Sequence, residues 1–263
     1  MAAPPAGVGA CIAWDLECNN SVSIWNITVP PKPPLPKYVQ VSERLIREIA
    51  AGHLADGTRL PNERTMAQDL DLSVGTLRKA LALLTEQGLL VRVQGSGNYI
   101  RQRPDVQSVY SFFRLERPNG GGLPTATVLD VTLCPKPQDA PAFGAAAQGW
   151  RIRRLRRIDD VPIAVEEIWL DAARAARLSA DDLSDSLYRH YRDRLGLVIT
   201  SVEDRIGLRA VPDWAPQEFA VKPGTMSAHI SRVSRAADGA RAEFSRTWFD
   251  HERARYVSRM GRG

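Results

Sequence analysis

Arg154 and Arg156 stand two residues apart between Ile152 and Ile158, and Glu166 comes in the next apolar run. If Arg151–Ile158 is a strand, its side chains alternate faces, and both arginines share one face with the two isoleucines. Ala164, Glu166 and Ile168 would share a face of the next strand in the same way. Two guanidinium groups so placed can hold an anion through paired, charge-assisted hydrogen bonds. Without partners, a buried face of this kind is costly. In the opposite phase Arg153, Leu155 and Arg157 point inward, which also buries two arginines. A polar cavity holding a small anion accounts for either phase.

A second set of residues has the pattern for chemistry on a polyanion. In the segment after Ser73, Leu77, Ala80, Leu81 and Leu84 form one apolar stripe at helical spacing. Gly75, Arg78, Lys79, Ala82 and Thr85 fall on the other side, small and basic toward the N-terminal end. That is the end a recognition helix presents to base edges. Two start signals, Asn62 and Ser73, predict a short helix Glu63–Leu70 and a longer one Val74–Gln87. Gly88 stands where a left-handed residue ends helices. A merely amphipathic helix with solvated Arg78 and Lys79 has the same pattern, and the segment beyond Gly88 separates the two. Leu89–Val93 reads as a strand, Gln94-Gly95-Ser96-Gly97 as a tight turn, and Asn98–Arg101 as the returning strand. Bare amides at such a turn can contact phosphate. A nucleotide-cradling loop would need a helix next, and here a strand comes instead.

The chain has 263 residues, enough for two domains. Its 44% apolar and 25% charged content is that of a globular protein. No run approaches the roughly 20 apolar residues of a membrane span. A net charge of +5 and a pI near 9.3 favour a polyanionic partner only mildly. Residues 38–103 carry 9 basic and 7 acidic groups, so DNA binding would rest on where the charges stand. Cys11, Cys18 and Cys134 are an odd set without paired spacing, against a disulfide framework or a zinc cluster. There is no His-Glu-x-x-His, no Gly-x-Ser-x-Gly and no phosphate-binding loop, and His53, His190, His229 and His251 are scattered.

The elements around these residues come from the pattern. Residues 1–37 read as a disordered extension with a stiff polyproline stretch at its end, and without the basic start of a signal peptide. Tyr38–Ala51 is a bracing helix, with Val41, Leu45, Ile46 and Ile49 at helical spacing. Residues 102–108 are a linker. From Val109 on, strands alternate with helices. Arg151–Ile158 and Val161–Leu170 turn at Asp159-Asp160; Ser179–Leu195 is mostly helix and ends at Gly196; Val198–Leu208 is a strand; a short helix lies near Ala215–Ala220. Met226–Arg235 and Arg241–Phe249 form a hairpin around Asp238-Gly239. Helices punctuating an antiparallel sheet make an α+β domain.

Taken together, Leu60-Pro61-Asn62-Glu63-Arg64, Leu72–Leu81 and Gln94-Gly95-Ser96-Gly97 are specific. Tyr38–Arg101 resembles the winged helix-turn-helix DNA-binding domain of the GntR family of bacterial transcription regulators. The resemblance implies DNA contacts from Arg64, from Ser73, Val74, Gly75, Thr76 and Arg78, and from Gln94 and Gly95 at the wing tip. Asn62 replaces the usual serine, an equivalent cap. Val74 stands where Arg or Lys is frequent, so the operator preference is expected to differ.

Residues from about 108 to 260 resemble the UTRA effector-binding domain of the HutC branch of that family, whose α+β fold is similar to chorismate lyase. The carrying motifs are Arg154-Leu155-Arg156, Val161–Glu166, Leu183–Tyr188 and Glu243-Phe244-Ser245-Arg246. The resemblance implies that Arg154 and Arg156 hold an anion and that Glu166 takes polar groups of the ligand. It places Ser186, Tyr188 and Glu243 in the same pocket, with Phe249 where many relatives carry tyrosine. The function so implied is a cytoplasmic, homodimeric regulator, a repressor, that binds a double-stranded operator and a small anionic metabolite. It needs no cofactor or metal and no membrane. The alternatives are a DNA-binding protein whose second domain only dimerises, and a lyase-like enzyme.

Overall fold

The structure, a computed structural model, describes residues 36–50, 52–102, 110, 112–183 and 186–259. The expected extension before residue 36, most of the linker 102–108, Cys11, Cys18, Ser184 and Asp185 lie outside the described residues.

Helix α1, Lys37–Ala50, buries Leu45, Ile46 and Ile49 along one face. Helices α2, Glu63–Asp69, and α3, Val74–Glu86, start where the sequence signals them. The Asn62 side-chain oxygen accepts from the Thr65 amide at 2.9 Å, and Ser73 Oγ accepts from the Thr76 amide at 3.1 Å. Each satisfies one orphan amide of a first turn. Leu77, Ala80, Leu81 and Leu84 are buried, and α1 and α3 pack together over a core that includes Leu60, Leu89, Leu90 and Ile100. Gly88, at φ 72°, turns the chain out of α3. Strands β1, Leu90–Val93, and β2, Gly97–Ile100, pair antiparallel from Leu90↔Ile100 to Val93↔Gly97. Gln94, Gly95 and Ser96 therefore form the tip. The return strand begins one residue earlier than expected, at Gly97.

The second half is built on a six-stranded antiparallel sheet. A small pair, β3 (Leu115–Glu116) and β10 (Arg255–Tyr256), stands beside it. The main strands are β4 (Pro124–Pro135), β5 (Gln148–Ile158) and β6 (Val161–Asp171), followed by helix α4 (Leu187–Leu195). Then come β7 (Ile199–Ala210), β8 (Met226–Ala236) and β9 (Arg241–Phe249). The sheet order is β4-β5-β6-β9-β8-β7. Asp159 and Asp160 both take positive φ, 47° and 65°, as a two-residue hairpin turn requires. Leu183, Leu187 and Tyr191 cover one face of the sheet against Ile152, Ile168 and Leu170. Phe219 and Trp214 cover the other against Leu155, Val165 and Trp248.

Two elements differ from expectation. Among the described residues of Ser179–Leu195, only Leu187–Leu195 is α-helix; Ala180–Asp182 is one 3-10 turn, Leu183 is extended at ψ 141°, and Ser186 caps a new start. The helix near Ala215–Ala220 is a 3-10 turn, Gln217–Phe219. Strand β4, which received no range from the sequence, is an edge strand, mostly half-buried or exposed along its length.

Candidate functional site

The outer surface of α3 and the wing gathers the residues singled out for DNA. Ser73, Gly75, Arg78, Gln94 and Gly95 are exposed, as is Arg64 on α2. Thr76 is half-buried, and its hydroxyl meets Ser73 Oγ at 2.9 Å. Val74 is also half-buried and packs against the domain core, so its isopropyl group serves the inside of the first turn. One residue there was not foreseen. Glu63 accepts from Arg78 Nε at 2.6 Å and from Arg92 Nη2 at 3.2 Å, tying the recognition helix to the wing. The signal available was an acidic residue directly before Arg64 in the first-turn motif.

In the second half, the register settles the phase of the arginine strand. Arg154 and Arg156 are both only 4% exposed and share the α4-facing side with Ile152 and Ile158. Arg154 pairs with Glu166 across β5 and β6, donating from Nη2 at 2.6 Å; Arg156 Nε lies 3.4 Å from the other carboxylate oxygen. Burial alone would raise the carboxyl pKa of Glu166, yet the two guanidinium charges outweigh it and hold it below its ordinary value. Arg154 Nε and Nη1 are buried and make no hydrogen bond among the described residues. The arginines of the opposite phase are served elsewhere: Arg153 bonds Glu167 at 3.1 Å, and Arg157 bonds Thr127 at 2.7 Å.

Arg154, Arg156, Glu166, Ser186, Tyr188 and Glu243 line a single cavity of about 70 Å³. That is well above the ~10–15 Å³ a lone water needs. Ser186 Oγ also caps α4, accepting from the Arg189 amide at 3.3 Å. Glu243 is tied down by three hydroxyls, from Tyr191 at 2.7 Å, Ser234 at 2.9 Å and Tyr188 at 3.1 Å. Burial raises its pKa even so, and raises those of Tyr188 and Tyr191. Phe249 is a correction: it lies in the apolar cluster of Leu115, Ile158, Ile163 and Ile230, and is not among the cavity-lining residues. Its ring shares the inward face of β9 with Glu243, Ser245 and Thr247 but sits at the strand's end.

Arg232 also lines the cavity, as does Arg114, and was not singled out in the sequence. It donates to both Asp204 oxygens, at 2.6 and 2.7 Å, and Tyr256 donates to the same carboxylate at 2.7 Å. Burial works against its charge, but Asp204 more than compensates and its pKa is raised. Alternation along β8 from Ile230 through Arg232 to Ser234 was the available signal. Among the described residues no cluster of His, Cys, Asp and Glu could hold a metal ion, and no helix is long and apolar enough to cross a membrane.

Residues 37–100 match the family described as bacterial regulatory proteins, gntR family, and residues 120–255 match the UTRA domain. The chain is 58% identical over 226 residues to the HTH-type transcriptional regulator SmoD of Agrobacterium fabrum, covering 86% of this chain and 97% of that protein. It is 24% identical over 234 residues to the HTH-type transcriptional repressor NagR of Bacillus subtilis, covering 87% and 96%. In fold it is similar to the possible transcriptional regulator YydK of Bacillus subtilis, with TM-score 0.50 and 20% identity, over 86% of this chain and 99% of that one. The capped helix pair with its wing falls within the first of these matches and the six-stranded sheet within the second, and the chain belongs to the GntR family of bacterial transcription regulators, in its HutC branch, with an N-terminal DNA-binding domain and a C-terminal UTRA ligand-binding domain.

Proposed function

We propose that the protein is a cytoplasmic repressor that acts as a homodimer on a two-fold symmetric double-stranded operator and is released by a small anionic metabolite bound in the UTRA cavity. The observation that carries the ligand reading is the pair Arg154 and Arg156, buried in one cavity, with two N–H-bearing nitrogens of Arg154 making no hydrogen bond among the described residues. Glu166 meets both of these cations, and an anion entering there can take up the two nitrogens of Arg154 that lack a hydrogen bond. Glu243 already accepts three hydroxyl hydrogen bonds, so Glu166 is the acidic residue better placed to exchange its partners for a ligand's.

On the DNA side, Arg64, Ser73, Gly75, Thr76, Arg78, Gln94 and Gly95 are proposed to contact the operator, and Val74 to shape the fit without a charge. The repressor reading is supported by NagR, which is named a repressor. Dimerisation is supported by the modest charge of the reading head, 9 basic against 7 acidic groups, since two heads on one operator add their contacts. Sedimentation equilibrium with operator DNA tests it: a 2:1 complex is expected, and a stable monomer on a single half-site contradicts it. Calorimetry with a panel of acidic and neutral metabolites tests the ligand class, with binding expected only among the acids.

A further inference from the structure

Phe113 carries two guanidinium groups on one ring. Arg156, from the cavity wall, has its Cζ 4.4 Å from the ring centroid. Arg47, from helix α1 of the DNA-binding domain, has its Cζ 5.1 Å from the same centroid. Both lie within the ~6 Å over which a cation is drawn to an aromatic face. Arg47 is also fixed to the backbone of this segment, because its Nη2 donates to the Leu115 carbonyl at 3.0 Å. Helix α1 packs in turn on α3, the recognition helix.

The two cations feel one another. Burial lowers the pKa of Arg47, Arg156 lowers it further, and Glu116 opposes them. On its other side Arg156 is held by Glu166 at 3.4 Å. An anion that enters the cavity therefore changes the balance of forces on Arg156 directly. It either draws the guanidinium from the ring or screens its charge there. In both cases the attraction between the ring and Arg47 changes, and so does the anchorage of α1 against the second domain.

Resting on the anion reading above, we infer that Phe113 and Arg47 are positioning residues that couple occupancy of the cavity to the stance of α1, and through it to operator affinity. Neither needs to touch DNA. The coupling requires only that the anion favour one arrangement of this three-membered stack over another.

The test uses the full chain, inorganic phosphate as probe, and a labelled duplex selected from random sequence by the wild type. Calorimetry reads phosphate affinity, and fluorescence anisotropy reads operator affinity with and without saturating phosphate. In the wild type the ratio of operator affinities is expected to lie between about 5 and 150, the usual span of such couplings. Arg47→Met should keep both separate affinities within about twofold and bring the ratio close to one. Arg47→Lys, which keeps a cation for the ring, should retain most of it. Phe113→Leu should abolish the ratio and Phe113→Tyr preserve it, and this pair decides the matter if Arg47→Met does not fold. A ratio unchanged in Arg47→Met, or in Phe113→Leu, overturns the relay and leaves the anion reading intact. Failure of phosphate to bind the wild type overturns the anion reading and the relay with it.

Discussion

Arg154 and Glu166 are register partners on neighbouring strands, joined by a 2.6 Å hydrogen bond between two side chains that are almost wholly buried. Removing one partner of such a pair leaves an uncompensated charge and typically costs about 3–5 kcal/mol. Glu166→Gln takes the carboxylate from both Arg154 and Arg156 and is therefore expected to lower stability to denaturant by that order. Arg154→Ala leaves Arg156 beside Glu166 and should cost less, and a loss in Arg154→Ala larger than in Glu166→Gln contradicts this arrangement. The arginines are thus part of the fold as well as candidates for the ligand, and alanine is a poor probe of binding.

Glu63 spans Arg78 and Arg92, both largely exposed. Exposed pairs contribute roughly 0–1 kcal/mol, so Glu63→Gln should barely change the melting temperature. Its effect belongs to DNA. With both arginines released, competition between operator and random duplex should show weaker discrimination. Equal loss of stability and unchanged discrimination would refute this.

Arg78→Ala distinguishes two kinds of contact. A guanine contact costs about 1–3 kcal/mol and relaxes preference at one operator position. A phosphate contact weakens all sequences alike and flattens the salt slope by about one unit. Arg64→Ala is read in the same way, and one of the two arginines is expected to give the base signature. Unchanged affinity in both single variants contradicts the assigned DNA face.

Ser73 both caps α3 and faces the proposed DNA surface. Ser73→Ala should cost about 1 kcal/mol of stability through the lost cap. Ser73→Asp keeps a cap but sets a negative charge toward phosphate, so stability should hold while operator affinity falls. Operator binding unaffected by the aspartate removes Ser73 from the interface.

His229 is buried against Trp248, and burial together with Arg209 and Arg246 pushes its pKa down to about 4. The unfolded chain takes up a proton near pH 6.5 that the folded protein refuses. The folded value is the lower one, so this contribution is full above pH 6.5 and is lost as pH falls toward 4. The slope is at most about 1.4 kcal/mol per pH unit. In His229→Gln the melting temperature should fall less over that window; an identical acid profile contradicts the shift.

What could be read from the sequence was what neighbours along the chain decide. The caps at Asn62 and Ser73, the stripe of α3 and the Asp159-Asp160 turn are local, and each stands where the pattern placed it. The inward phase of Arg154 and Arg156 was not legible, because either phase buries two arginines; only pairing with Glu166 on β6 and the cover of α4 decide it. Arg232 was hidden for a similar reason. Its counter-charge, Asp204, lies 28 residues away on an edge strand. Phe249 was misplaced because a match of motif gives the position on the strand, and the neighbours that make it core come from β3, β5, β6 and β8.

The most direct measurement compares wild type and Arg154→Lys in operator binding, each titrated with acidic and neutral metabolites. Lysine keeps the charge beside Glu166 but cannot offer the planar fork of donors. One class of acid is expected to weaken operator binding by the wild type by about 5- to 150-fold, and Arg154→Lys is expected to bind operator normally while losing most of that response. A full response in Arg154→Lys, or a response of the wild type only to neutral compounds, would contradict the assignment of this cavity to an anionic effector.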